Sequence, residues 1–171
     1  MKQHKGMRPQ DVVILLKIAA LKSNGWMAKD LAISLNISAS EVSESLNRSK
    51  IAGLLSADKK LLLKKNLLDF LEYGIRYVYP VEPGSNQRGM ATAHSAAPLN
   101  RIISAKDIYV WPLAQGTERG QAIQPLHPGV PEACTRDPRL YELLALVEAL
   151  RLDRLREQQL AMEELRQRIL G

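Results

Sequence analysis

Five polar side chains recur over a short stretch: Ser40, Ser43, Glu44, Asn47 and Arg48. Spaced three and four residues apart, they share one side of a helix. Their chemistry is recognition by hydrogen bonding, not bond breaking. An arginine fork suits guanine, an asparagine amide suits adenine, and a carboxylate accepts from the cytosine amino group. The five are candidate readers of base edges in a DNA major groove, with Ser38 just upstream as a candidate phosphate contact. Arg48→Ala would then weaken specific binding and leave the fold intact. Catalytic chemistry is not legible. No GxGxxG, GxxxxGK[ST] or HExxH pattern occurs, so no Gly-rich phosphate cradle and no zinc helix is expected. His94 and His127 with a carboxylate would be one route to a metal, but two loop histidines at unknown separation do not define a site. Cys134 has no nearby histidine, and the carboxylates are scattered. We expect no enzyme, no cofactor and no metal.

The polar face has to be carried by a pair of helices. Leu31, Ala32 and Leu35 form an apolar stripe, and Ala32 is small where a second helix crosses. Asn36 suits a left-handed C-cap, and Ile37 plugs the corner. Ser38 reads as an N-cap with Glu41 completing a capping box. Val42 and Leu46 turn the second helix back on the first. "DLAISLNISASEVSESL" resembles the helix-turn-helix of bacterial winged-helix regulators of the MarR-like kind. It follows their pattern Leu-Ala-x-x-Leu-x-(Gly/Asn)-(Ile/Val)-Ser-x-x-x-Val-Ser-x-x-Leu. The likeness is limited to roughly the N-terminal 70 residues. It implies a winged helix-turn-helix and binding to double-stranded DNA.

Charge agrees with that placement. Of a net +6, residues 1–66 carry 12 Lys and Arg against 5 Asp and Glu, while residues 67–171 carry 12 against 13. The excess positive charge lies on the half that holds the polar helix, as phosphate binding requires. The alternative is an ordinary basic solvated surface. One cysteine excludes an internal disulfide and fits a reducing cytoplasm. No apolar run reaches membrane-spanning length. Asp11 and Lys17 interrupt the stretch that follows the basic residues 1–7, which argues against a secretory signal.

The remaining elements follow from spacing. Pro9 opens a first helix, with Asp11 favoured in its first turn and Asn24-Gly25 at its end. Trp26 reads as core. Residues 55–63 read as a short wing with a turn at Ala57-Asp58-Lys59-Lys60; a single helix over 59–73 is the alternative. Lys59, Lys60, Lys64 and Lys65 at the wing are candidate phosphate contacts. The next helix is expected to start at Asn66 and close at Gly74.

Residues 76–138 hold all but one of the nine prolines. They contain a near-repeat: Tyr77-Val78-Tyr79-Pro80 then Arg88-Gly89-x-Ala91, and Tyr109-Val110-Trp111-Pro112 then Arg119-Gly120-x-Ala122. Each copy reads as a strand, a Pro/Gly turn and a return. Tyr79, Arg88, Trp111 and Arg119 could line a pocket for a small-molecule effector or a partner protein; two plain hairpins are the competing reading. Residues 123–138 read as an extended connector, with Asp137 capping a helix that runs to about Ile169. Leu155, Met162, Leu165 and Ile169 keep an apolar seam on it at coiled-coil spacing, which suggests a dimerisation helix. Folding back on its own domain is the alternative.

The expected fold is mainly α with small β elements (α+β). Its parts are a winged helix-turn-helix over 1–75, an irregular Pro/Gly-rich region over 76–137 and a long C-terminal helix over 138–171. The expected function is that of a cytoplasmic DNA-binding transcription regulator, a repressor acting as a homodimer. The alternative is an antitoxin-like or accessory module that binds a partner protein. No membrane association is expected.

Overall fold

The computed structural model describes residues 6–171. The basic tail expected over 1–7, with His4, lies outside the described residues apart from Gly6 and Met7. Helices take 55% of the chain and one small three-stranded sheet accompanies them, so the fold is mainly α with a small β part.

Helix α1 (Pro9–Leu21) is the axis of the molecule. Pro9 stands in its first turn, and residues 11–16 are all buried, Asp11 among them. It packs against α2 (Ala28–Leu35), α3 (Ala39–Ile51) and α7 (Pro138–Arg151). It ends before Asn24-Gly25, because Lys22 itself adopts the left-handed conformation (φ 53°). Lys22 Nζ donates to the backbone oxygen of Gly171, 3.1 Å away, so this corner is fixed by the far end of the chain.

The turn between α2 and α3 forms as its residues dictate. Asn36 is left-handed (φ 53°, ψ 46°), and the Ile37 N–H closes on the Ala32 carbonyl at 3.1 Å. Ile37 is buried at the corner. Ser38 Oγ accepts from the Glu41 N–H at 3.2 Å, satisfying one free amide of the first turn. Glu41 turns its carboxylate to Arg48 and Gln10 instead.

Residues 54–63 form a tight hairpin: Leu55 bridges Leu62, the Ser56 N–H bonds the Leu61 carbonyl, and the Leu63 N–H bonds the Leu54 carbonyl. Asp58 organises its tip, accepting from Ser56 Oγ (2.5 Å) and from the Lys60 N–H (3.0 Å), while Lys59 takes φ 62°. These bonds, Ser56 first, hold the Asp58 carboxyl below the usual carboxylate range. Helix α4 (Lys64–Tyr73) begins two residues before Asn66. Asn66 is therefore inside it, and its amide donates to the Gly53 carbonyl at 2.8 Å, tying α4 to the end of α3.

The two copies of the near-repeat differ in their first halves. Tyr77 and Val78 lie in a short helix, α5 (Ile75–Val78), whereas Tyr109–Pro112 is strand β2. The second halves are strands β1 (Asn86–Ala91) and β3 (Glu118–Ala122), and they pair with each other antiparallel. Strand β2 pairs antiparallel with β1 and parallel with β3, which closes the three strands on themselves. Closure demands glycine. A Cβ at Gly89 would stand 2.0 Å from the Trp111 oxygen, and one at Gly120 would stand 2.3 Å from that of Ile108.

The connector is partly helical: α6 (Val130–Arg136) precedes α7. Asp137 caps α7 as expected, accepting from the Leu140 N–H at 3.1 Å, and its other oxygen takes Lys17 Nζ at 2.6 Å. The long terminal helix is broken. α7 ends at Arg151, the chain bends at 152–153 with Leu152 and Arg154 extended, and α8 (Leu155–Leu170) packs back on α7 and α4. Met162, Leu165 and Ile169 are 5%, 0% and 2% exposed, inside this chain's own core. The proposed dimer seam is thus an intramolecular one, and Leu155 alone of the four is exposed, at 70%. One apolar cluster includes residues from all three sequence segments. Leu165→Ala is expected to destabilise the chain by about 2–5 kcal/mol, by the same amount at any protein concentration, because the cavity opens inside its own core. Denaturant unfolding of wild type and variant at two concentrations checks this; at a dimer seam the difference between them would change with concentration.

Candidate nucleic-acid interface

Of the five expected base readers, four face outward. Ser40, Ser43, Glu44 and Asn47 are exposed on α3, and Ser38 is exposed at its cap. Arg48 is not on that face. It is 4% exposed and turns inward to Asp11 on α1. Nε bonds Asp11 Oδ2 at 2.9 Å and Nη2 bonds Oδ1 at 2.8 Å, a two-pronged pair. Nη2 also reaches Glu41 Oε1 at 2.5 Å. Arg48 is therefore removed from the reader set: its fork is occupied by two carboxylates. The Asp11 bonds push its pKa up, against burial, with Glu41 adding to the effect. Asp11 Oδ2 also caps α1 through the Arg8 N–H at 2.8 Å.

The expected phosphate contacts are placed together in sequence and in one substructure, the hairpin and the start of α4. Lys60, Lys64 and Lys65 are exposed and Lys59 is half-buried at the tip. Among the described residues none of the four has an acidic group within ion-pair distance. Lys60 Nζ lies 5.9 Å over the ring of Trp26, itself core as expected. Lys64 and Lys65 occupy the first turn of α4, which contains no acid. Cations there oppose the helix dipole, so their position is intrinsically unfavourable without an anion. Lys50, in the last turn of α3, also has no acidic partner among the described residues, and it is not one of the expected phosphate contacts. Its signal was a basic residue one turn past Asn47.

Arginines elsewhere contrast with these lysines. Arg76 pairs with Asp153, Arg151 with Glu148, Arg154 with Asp107, Arg166 with Glu72 and Arg168 with Glu142. The C-terminal half neutralises much of its own charge, while the hairpin leaves its lysines open.

The four residues expected around a pocket are not assembled as one. Trp111 is fully buried, and its Nε1–H donates to Glu148 Oε2 at 2.6 Å. Glu148 is buried with it, and burial raises its pKa against the pull of Arg151. Arg151 also holds the carbonyls of Tyr79 and Gln124, so this group clamps loops to α7. Tyr79 is half-buried. Arg88 and Arg119 are exposed and are brought opposite each other by the sheet.

His94 Nε2 bonds the Asp107 carbonyl at 2.9 Å, and His127 Nδ1 accepts from the Gly129 N–H at 3.1 Å. Among the described residues no group of three or more His, Cys, Asp or Glu is placed to hold a metal ion. Cys134 is buried, and burial pushes its thiol pKa far up, which makes it a poor nucleophile. Among the described residues no helix is long and apolar enough to cross a membrane. Compared with known proteins, the chain matches no protein-family model, no curated protein and no solved structure.

Proposed function

We propose that the chain is a sequence-specific DNA-binding transcription regulator built on a winged helix-turn-helix. In this reading α3 enters the major groove, the 54–63 hairpin is the wing, and the protein works in the cytoplasm as a repressor that occupies its operator. One observation carries the reading: among the described residues Lys59, Lys60, Lys64 and Lys65 have no acidic partner, in the hairpin and helix start that follow α3 in the chain, and the outer face of α3 is mostly small and polar. Lysines held in that way release counterions when they meet phosphates, which gives affinity. Ser40, Ser43, Glu44 and Asn47 supply the base contacts, with Lys50 added to the phosphate set.

Self-association no longer rests on the C-terminal helix, because its seam is inside the monomer. A dimer reaching successive major grooves, about 34 Å apart, would join through another surface.

The test is fluorescence anisotropy with the duplex upstream of the protein's own gene against a scrambled duplex, over a range of salt. Tighter binding to the native duplex at physiological salt supports the reading; equal, weak binding that salt abolishes overturns it. Asn47→Ala should cost about 1–3 kcal/mol of specific affinity with an unchanged melting temperature. Equal affinity of variant and wild type would remove Asn47 from the reader set.

A second reading, an antitoxin-like or accessory module that binds another protein, has its own observation. Tyr73, Tyr77 and Leu155 are 69%, 73% and 70% exposed around a cavity of about 500 Å³ between α4–α5 and α8. Exposed tyrosines flanked by arginine are favourable interface groups. Binding to DNA that is indifferent to sequence, together with loss of partner capture by Tyr77→Ala, would favour it.

A further inference from the structure

The antiparallel register of β1 and β3 sets Arg88 directly across from Arg119, and Asn86 directly across from Gln121. Residues opposed in this way point to the same side, with Cβ atoms about 4.5–5.5 Å apart. All four are exposed. Among the described residues neither arginine has an acidic partner. The nearest acid in register, Glu118, lies opposite Gly89 and so on the other side of the ribbon. Like charges directly opposed across a ladder are destabilising. The chain nevertheless places them there, in the two copies of its internal repeat, with the pseudo-twofold centre between them.

The glycines after the arginines explain how the spacing is fixed. Gly89 and Gly120 press β1 and β3 against β2 so closely that no side chain fits. The two arginines therefore rise from a backbone that is closed on itself and cannot easily splay to relieve the repulsion. Two guanidinium forks carried on Cβ atoms that close can converge on the oxygens of one tetrahedral oxyanion, and arginine binds such anions through paired N–H groups. The flanking amides of Asn86 and Gln121 can donate to its remaining oxygens.

We propose that Arg88 and Arg119 form a phosphate clamp at the centre of the β1–β3 pair, separate from the hairpin lysines. The phosphate is either a backbone phosphate of bound DNA, in which case the clamp rests on the function proposed above, or a free phosphate group.

The experiment compares wild type with R88Q/R119Q and with R88K/R119K. Each is melted in chloride and in inorganic phosphate at matched ionic strength, and each is titrated with duplex DNA across salt. In chloride R88Q/R119Q should melt slightly above wild type, since the like-charge pair is gone; that also checks that it folds. In phosphate the wild type should gain stability, R88Q/R119Q should not, and R88K/R119K should gain less, because lysine keeps the charge and loses the fork. If the clamp engages DNA, the salt slope of log K falls by about 0.9 per arginine, or roughly 1.8 for the double variant. Loss of the phosphate gain with an unchanged slope assigns the clamp to a free phosphate group. No change in either arm overturns the proposal. If the wild type binds no duplex at all, the DNA reading fails and the melting arm alone decides the clamp.

Discussion

Arg48→Ala should unfold the protein more readily and leave the sequence preference proposed for α3 with its other polar residues. The expected loss is about 3–5 kcal/mol, the cost of breaking a buried ion pair from one side. For a chain of this length that lowers the melting temperature by roughly 6–20 °C. The reason is what Arg48 leaves behind. Asp11 is fully buried at the start of α1, and both of its oxygens are held by the Arg48 fork. Without the guanidinium, a carboxylate is stranded in the core with only the Arg8 amide as partner. Arg48→Lys should recover little, since an ammonium cannot bond both oxygens in plane. Replacing both members with apolar residues should recover most of the loss. A double-mutant cycle of Arg48→Met and Asp11→Leu measures this coupling; additive effects would mean that the pair contributes nothing as a pair.

The same substitution changes the acid limb of stability. Burial alone would raise the Glu41 pKa, but its bond to Arg48, its bond to Gln10 and the charges of Arg48 and Arg8 bring it below the usual carboxylate range. A folded-state pKa below the unfolded one adds stability that is complete above the unfolded value and is lost as pH falls through the folded one. In Arg48→Ala that part of the pH dependence should flatten.

Why the sequence placed Arg48 on the wrong side is instructive. Its spacing from Ser40, Glu44 and Asn47 allows the outer face, and a long side chain at the edge of a helix can swing either way. The deciding residue was on another helix. Asp11 shares the stripe of Leu15 and Ile18, where an acid is tolerable only with a buried cation. The same cue marks Glu148, one turn after Leu144 in a helix with a long buried apolar run, whose partners are Arg151 and Trp111. An acid within an apolar stripe is readable from sequence; which distant base meets it is not.

Local chemistry was more legible than tertiary competition. Asn36, Ser38, Asp137 and the hairpin at Asp58 act through neighbours within a few residues, and each forms as its type dictates. The break at 152–154 has no glycine or proline to announce it. It forms because Leu150, Leu152, Met162, Leu165 and Ile169 can all be buried in one core only if the helix folds back. Gln158 then caps the broken end, its amide 2.6 Å from the Leu152 carbonyl. Likewise Tyr77-Val78 and Tyr109-Val110 are alike in composition. Only the second pair finds strand partners on both sides, Ala91 on β1 and Gln121–Ala122 on β3, so only it becomes a strand.

Changing Lys59, Lys60, Lys64 and Lys65 together to glutamine should leave the fold unchanged and remove much of the affinity for DNA. None of the four lies in the core, and among the described residues none has an acidic partner to strand. Removing Lys64 and Lys65 takes cations away from the positive end of α4, which helps the helix slightly. The melting temperature should therefore hold or rise a little. Binding should respond in the opposite direction. Each lysine that meets a phosphate contributes about 0.9 to the salt slope, so the slope should fall by roughly 3.6 if all four do. Preference for the native duplex over a scrambled one should survive, because the proposed function assigns it to Ser40, Ser43, Glu44 and Asn47 and not to the lysines. The two losses separate cleanly in one titration series. A variant that keeps its salt slope would show that the open lysines meet no phosphate, and the outer face of α3 would then have no backbone contacts from the hairpin to set its register on a duplex.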